Sequence, residues 1–130
     1  TISLMDKKMR CRGRVDSANF LREPLSGKPV SLISAKIVRK YWGDILGNER
    51  FLTRIRAVPY RSLGCSDGIV IAVRCDSLTI DRRGTFGGSQ ICIRDAFLGL
   101  YDGEFAAGEG EGDFSVLLQP AIVYEGSAQG

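Results

Sequence analysis

The chain has 130 residues, a length that suits one domain with a single hydrophobic core. It contains no histidine, which excludes Ser-His-Asp and Cys-His catalysis, histidine-ligated zinc and a histidine pH switch within these residues. The net charge of +3 is unevenly spread, since residues 1–65 hold 14 basic and 5 acidic residues and residues 66–130 hold 4 and 10. This polarity favours a basic binding face or head-to-tail self-association, unless the two halves interleave and neutralise each other.

Residues 8–15 alternate between basic and small or apolar side chains, which predicts a half-buried strand with a cationic outer face. One interpretation is that this face binds phosphate or anionic lipid; the favoured interpretation is a solvated face paired with acids on a neighbouring strand. Two more arginines alternate within a predicted strand at 51–58, which Pro59 ends or places at an edge, and two lie in a basic glycine-rich loop at 82–88. The predicted anion- or partner-binding residues are Lys8, Arg10, Arg12, Arg14, Arg54, Arg56, Arg82 and Arg83.

Residues 31–47 fit two descriptions. Residues 30–41 read as a long strand, yet apolar residues recur at helical spacing, with Ser31 as a candidate N-cap and Gly47 as a candidate stop. Tyr41, Trp42 and Tyr60 are candidate stacking residues, although for Trp42 the favoured role is a core or rim anchor.

Residues 69–75 form the longest apolar run and follow an Asp-Gly turn signal, so they predict a central strand buried on both faces. Further strands are predicted at 77–81, 89–94, 96–101, 114–118 and 121–124, with a glycine-rich acidic loop at 102–113. The expected fold is mainly β, a small antiparallel barrel or sandwich, or α+β if a helix forms near 31–47. Residues 1–125 would form one domain and residues 126–130 a flexible tail.

The cysteines form no C-x-x-C pair, so no zinc site, other metal site or cofactor is predicted. Cys11, Cys75 and Cys92 lie among alternating apolar residues and are expected to be reduced core thiols, with Cys65 accessible in a turn. The sequence shows no signal peptide or membrane-spanning segment, and we expect an intracellular, reducing compartment.

Several short pieces resemble the GIDE-type domain, the β-rich non-RING part of membrane E3 ubiquitin ligases and their bacterial relatives. They are Arg12-Gly13-Arg14-Val15, Pro24-Leu25-Ser26-Gly27-Lys28-Pro29-Val30, Val58-Pro59-Tyr60, Asp67-Gly68 and Leu117-Leu118-Gln119-Pro120. The resemblance implies a domain without catalytic residues that engages a protein partner next to a membrane.

The residues themselves leave other functions open. A self-assembling structural protein, resembling the rhabdovirus type of viral matrix protein, would suit the oppositely charged halves, and a small barrel binding single-stranded nucleic acid would suit the basic strand and the aromatic residues. An anionic membrane surface is a further partner for that strand. An enzyme is not predicted, because Asp67, Asp76, Asp81 and Asp95 have no identifiable partner base or metal-ligand set.

Overall fold

The computed structural model describes residues 1–60, 68–82, 89–103 and 114–125, which form two β-sheets and short helices. The strands are β1 (Ile2–Leu4), β2 (Lys7–Met9), β3 (Gly13–Val15), β4 (Val30–Ser34), β5 (Ile55–Tyr60), β6 (Gly68–Arg74), β7 (Ser77–Asp81), β8 (Gln90–Arg94), β9 (Phe97–Tyr101) and β10 (Val116–Leu118). The helices are α1 (Ala35–Trp42), a 3₁₀ helix (Glu49–Arg54) and α2 (Pro120–Glu125). None of these helices is long and apolar enough to cross a membrane.

The smaller sheet has the strand order β2-β1-β7-β8 and the larger sheet the order β3-β10-β4-β9-β6-β5. One apolar core, which includes Ile2, Val73 and Leu98, draws residues from both sheets. The prediction of a mainly β fold is confirmed. The described strands do not close into a barrel, and two pairs, β3 with β10 and β4 with β9, are parallel, so the antiparallel prediction holds only in part.

The basic segment at 8–15 is not one strand. β2 pairs with β1 in the smaller sheet, β3 pairs with β10 in the larger sheet, and the chain crosses between the sheets at residues 10–12. Met9 packs into the core at 2% exposure, whereas Gly13 sits against Leu118, where an added Cβ would lie 3.2 Å from its nearest side-chain atom. Alternation therefore correctly predicted the buried side of β2, but it was wrong for β3, where Gly13, Arg14 and Val15 are all exposed, and it could not show that the two ends belong to different sheets.

Both descriptions of residues 31–47 are partly right. β4 runs parallel to β9 up to Ser34, and α1 then begins at Ala35. Ser31 is a fully buried strand residue and not an N-cap, and the helix ends at Gly43, whose φ of 75° suits a residue without a side chain, rather than at Gly47. Residues 30–34 form a strand because β4 pairs with β10 on one side and with β9 on the other.

The predicted central strand is buried only in its second half. Val73 is 1% exposed and Cys75 0%, but Ile69 is 66% exposed. β6 is the second strand from the edge and pairs with the edge strand β5, which contains Pro59, so the start of β6 lacks cover from the core. The prediction that the whole segment is buried is wrong for this reason.

The strands predicted at 77–81, 89–94, 96–101 and 114–118 are confirmed as β7, β8, β9 and β10. Residues 51–58 divide between the 3₁₀ helix and β5. Residues 121–124 were predicted as a strand, which is wrong, because they lie in α2 with Ile122 and Val123 facing the core. Pro120 opens this helix, at a position where the missing N–H costs no hydrogen bond.

Candidate functional site

The larger sheet places a late strand between two early ones. β10 pairs parallel with β3 on one side and antiparallel with β4 on the other, although β3 and β4 are separated by only residues 16–29. The chain must therefore turn sharply where β3 ends. At this point the backbone N–H of Asp16 donates to the carbonyl of Leu118 on β10, at 2.8 Å. Asp16 is thereby placed at the carboxyl end of a parallel strand pair, a common position for functional residues in such sheets.

Asp16 begins a tight turn whose hydrogen bonds set the direction of its side chain. Its Oδ1 accepts the backbone N–H of Ala18 at 3.1 Å, and its carbonyl accepts the N–H of Asn19 at 3.2 Å. The side chain is half-buried, and its Oδ2 accepts no hydrogen bond from the residues that the structure describes. One carboxylate oxygen is thus held by the backbone while the other remains available to a ligand.

A buried polar network holds this turn in place. The Asn19 amide Nδ2 donates to the carbonyl of Val30 at 2.8 Å, and its Oδ1 accepts the N–H of Leu21 at 2.9 Å. Gln119 Nε2 lies 3.2 Å from Asn19 Oδ1 and 2.7 Å from the carbonyl of Leu21. The backbone N–H of Gln119 donates to Ser31 Oγ at 3.0 Å.

These three polar side chains are 5% exposed at Asn19, 3% at Gln119 and 0% at Ser31. Buried polar groups are costly unless they are paired, so such a satisfied network makes the turn geometry rigid and specific. It connects the turn after β3, the start of β4 and the end of β10.

A second buried acid shapes the loop that follows. Glu23 is 2% exposed, and its carboxylate accepts the backbone N–H groups of Leu25 at 2.6 Å and Ser26 at 3.0 Å. Burial raises the pKa of Glu23, but these hydrogen bonds and the charge of Arg56 outweigh it and lower that pKa overall. Glu23 is therefore a structural acid that holds the loop, and its carboxylate is already occupied.

A cleft of about 990 Å³ lies between the two sheets, beside Gly13 and Arg14 of β3. Its apolar floor includes Ile2, Leu78 and Val116, which belong to the core. Its rim carries three arginines from the crossing segment and β3, at positions Arg10, Arg12 and Arg14. Leu118 also lines the cleft, and its carbonyl accepts the Asp16 N–H, so the cleft reaches the turn that carries Asp16.

Four of the predicted binding cations lie near one another and are exposed, namely Lys8, Arg10, Arg12 and Arg14. Arg14 lies over the ring of Phe114, with 5.9 Å from its guanidinium carbon to the ring centroid. Arg10 and Arg12 form no ion pair with the acids in the part of the chain that the structure describes.

The remaining predicted cations are engaged within the chain. Arg54 pairs with Asp76 at 2.6 Å and is 20% exposed, and Arg56 donates to the carbonyls of Thr53 and Ile55. Arg82 donates to Ser89 and to the carbonyl of Val123 in α2, at 3.0 Å for the latter. These three arginines stabilise the fold and do not join the cleft, and Arg83 lies outside the described residues.

The predicted stacking residues are not brought together. Trp42 is half-buried, packs against the core and donates its Nε1 to the carbonyl of Leu4 at 2.9 Å. Tyr41 lies beside it with a ring-centroid distance of 6.1 Å. Tyr60 is on β5, where its ring covers Gly68 on β6 so closely that a Cβ there would lie 2.4 Å away. No shared aromatic platform forms among these three residues.

The cysteines have different environments. Burial raises the pKa of Cys75 to about 12, and also raises the pKa of the half-buried Cys11. Cys92, predicted to be buried, is exposed because it lies on the outer face of β8, opposite to the face that carries the buried Ile91. Cys65 lies outside the described residues. Within the described ranges no three Cys, Asp or Glu residues cluster as a metal site would require.

Comparison with known proteins identifies the family of this chain. The family model described as Peptidase_U4, sporulation factor SpoIIGA, matches residues 1–122, and the chain belongs to this family. A Bacillus subtilis relative, named sporulation sigma-E factor-processing peptidase, is 24% identical over 92% of this chain and 42% of its own length. A Bacillus thuringiensis relative, named putative sporulation sigma factor-processing peptidase, is 20% identical over 94% of this chain and 81% of its own length.

The chain thus spans less than half of the first of these relatives. No solved structure matches.

These comparisons correct several predictions. The GIDE-type resemblance is wrong, because the family model that matches nearly the whole chain is that of a peptidase. The predictions of a non-catalytic binding domain, a viral-matrix-type structural protein and a nucleic-acid-binding barrel are wrong for the same reason, as is the prediction that the chain is not an enzyme. The quoted GIDE pieces are short turn and strand segments, which many β-rich proteins share.

Asp16 is not among the four aspartates that the sequence offered as possible catalytic residues. The available signal was an Asp-Ser-Ala-Asn turn directly after a predicted strand, in a chain that must do any proton transfer without histidine. Only the pairing of β3 with β10 shows that this turn sits beside a cleft.

Proposed function

We propose that this chain is the catalytic part of a peptidase that processes the precursor of a sporulation sigma factor, and that Asp16 is its catalytic carboxylate. The supporting observation is the Asp16 turn in a member of a peptidase family: a half-exposed carboxylate, fixed by a buried network, whose backbone N–H bonds to Leu118, a residue that lines the cleft. The substrate follows the printed names of the two Bacillus relatives.

The chemistry of the available residues favours a carboxylate. Peptide hydrolysis needs a group that accepts and returns protons, and no histidine is available in these residues to activate a serine or cysteine. Cys75, with its pKa of about 12, stays a thiol at neutral pH and is not a nucleophile. Carboxylates remain the best-suited side chains.

Aspartic peptidases use two carboxylates that share one proton, because two negative charges about 3 Å apart cannot both persist. Of the six other aspartates in the described ranges, four pair with arginines, namely Asp6, Asp76, Asp95 and Asp102. Asp44 accepts the N–H of Gly47, and Asp81 lies on β7 of the smaller sheet, whereas Asp16 follows a strand of the larger sheet. We therefore assign the second carboxylate to Asp16 of a second copy, related to the first by a twofold axis.

The surface beside Asp16 supports a second copy. Phe20 is 81% exposed and Leu25 is 86% exposed on the loop that follows the turn. Large apolar side chains exposed on one loop are candidates for cover by another chain, and this loop follows the Asp16 turn along the sequence.

In the resulting dyad the ionised carboxylate takes a proton from a water molecule, and the water oxygen attacks the scissile carbonyl carbon. The protonated carboxyl gives its proton to the carbonyl oxygen. The C–N bond of the tetrahedral diol then breaks: the amine leaves with the proton taken from water, and a diol hydroxyl returns its proton to the other carboxylate, so the two carboxyls again share one proton.

The direct test is Asp16→Asn in the protein as it occurs in the cell, produced together with the sigma factor precursor. Cleavage, followed by the mobility of the sigma factor on a gel, should be lost while the thermal midpoint stays near that of the wild type. Asp44→Asn, a change at another exposed aspartate, is the matched control and should retain cleavage. Wild-type cleavage by the Asp16→Asn protein would refute the assignment.

Mixing tests the second copy. If one catalytic site needs Asp16 from two chains, an equal mixture of wild-type and Asp16→Asn chains should retain about one quarter of the activity, since only one random dimer in four has both carboxylates. A site within one chain would retain about one half, and that result would rule out the shared dyad.

A further inference from the structure

We infer that the cleft between the two sheets binds a substrate segment in which acidic side chains accompany apolar ones. This inference rests on the proposed function, because it assigns the cleft to the substrate of the Asp16 site. It adds a recognition role for Arg10 and Arg12, which the catalytic proposal does not use.

The position of the cleft relative to Asp16 supports this inference. It is lined by Gly13 and Arg14, which precede Asp16 by three and two residues, and by Leu118, which accepts the Asp16 N–H. A peptide whose scissile bond reaches Asp16 would therefore have its neighbouring residues in this cleft.

The positive charge of the cleft rim also supports this inference. The rim carries Arg10, Arg12 and Arg14, with Asp81 as the acid among the lining residues. Arg10 and Arg12 are exposed and pair with no acid in the described ranges, whereas most arginines elsewhere in those ranges bind an acid or a carbonyl. A guanidinium presents several donors in a fork that matches a carboxylate, so this rim favours acidic side chains over neutral ones.

The apolar lining of the cleft also supports the inference. Ile2, Leu78, Ile80, Val116 and Leu118 line the cleft, and at 1–9% exposure they offer a small apolar surface. Apolar side chains of a bound segment that contact this surface would leave water, while carboxylates on the same segment would reach the arginines. The expected ligand is thus an extended segment that alternates between acidic and apolar residues, not a purely acidic one.

The chain crossing explains why such a rim exists. Residues 10–12 bridge the two sheets and make no strand pairing of their own, so their side chains are free of the in-and-out alternation of a sheet. Two of the three rim arginines, Arg10 and Arg12, belong to this crossing segment, and the third, Arg14, lies in β3 beside it.

The test measures binding apart from cleavage, by using Asp16→Asn protein and a fluorescently labelled peptide in which glutamate and leucine are spaced by glycine and serine. Fluorescence anisotropy should show binding that weakens as salt rises. The double change Arg10→Ser with Arg12→Ser should weaken it about tenfold, a size expected for the loss of two partly screened ion pairs. Lys36→Ser with Lys40→Ser, which removes the same charge from α1, should leave it within about twofold.

A charge-reversal variant distinguishes a specific loss of binding from misfolding of the protein. Arg10→Glu with Arg12→Glu should reject the glutamate peptide and prefer the same peptide with lysine in place of glutamate. Equal binding of the glutamate peptide to the Arg10→Ser/Arg12→Ser and parent proteins would overturn the inference, as would stronger binding of a glutamine version or of an oligonucleotide of the same charge. These binding measurements do not depend on cleavage, so they test the cleft separately from the catalytic role proposed for Asp16.

Discussion

Asn19→Ala should destabilise the protein and disable the Asp16 turn together. The Asn19 side chain makes three hydrogen bonds, to the carbonyl of Val30, the N–H of Leu21 and the amide of Gln119. After the change, Gln119 and Val30 still contact each other at 3.1 Å, but the N–H of Leu21 loses its partner.

The magnitude follows from these contacts. One orphaned, partly buried N–H costs about 1–3 kcal/mol, and the two other lost bonds together cost about 1 kcal/mol, because their partners keep one another. We expect a loss of about 2–4 kcal/mol. For a chain of 130 residues this corresponds to a fall in melting temperature of roughly 7–15 °C.

Thermal unfolding by circular dichroism measures this loss, with Ser17→Ala as the control because Ser17 is exposed in the same turn. Cleavage of the sigma factor precursor should fall further than the population of unfolded chains explains, since the turn that aims Asp16 relaxes. A melting temperature within about 2 °C of the wild type would refute the view that this network fixes the turn.

Three further outcomes are expected. Glu23→Gln should lower stability by about 1 kcal/mol at neutral pH, since hydrogen bonds to a carboxylate are stronger than those to an amide. Because the folded pKa of Glu23 lies below the ordinary value of 4.5, its contribution is present above that pH and is lost on acidification, so urea midpoints of the two proteins should converge below about pH 4.5. Brief maleimide treatment of the native protein should label Cys92 but spare Cys75 in mass spectra of its peptides, and equal labelling would contradict the described burial. Val73→Asp should cost more than about 4 kcal/mol and yield no cooperative melt, because an unpaired charge would replace a side chain that is 1% exposed; a normal melt would show that the site is wetter than described.

In this β-rich chain, local sequence patterns predict extended backbone but do not predict which strands pair. Strict alternation at residues 8–15 correctly predicted extended backbone, but the chain changes sheets at residues 10–12. Residues 121–124 are apolar and β-branched like a strand, yet form α2, because β10 ends at Leu118 and Pro120 starts a helix that packs onto the core. Tertiary packing overrides local preference in both places.

The sequence by itself determined that the protein is mainly β, that its first half carries the cations and that histidine chemistry is absent from these residues, since composition and alternation act over a few neighbouring positions. Tertiary structure alone decided that β10 lies between β3 and β4, and so that Asp16, Asn19 and Gln119 meet across 100 residues of chain. Strand order depends on hydrogen bonds and packing between segments far apart in the sequence, so it cannot be predicted from any one segment. The candidate site forms only where β3, β4 and β10 meet.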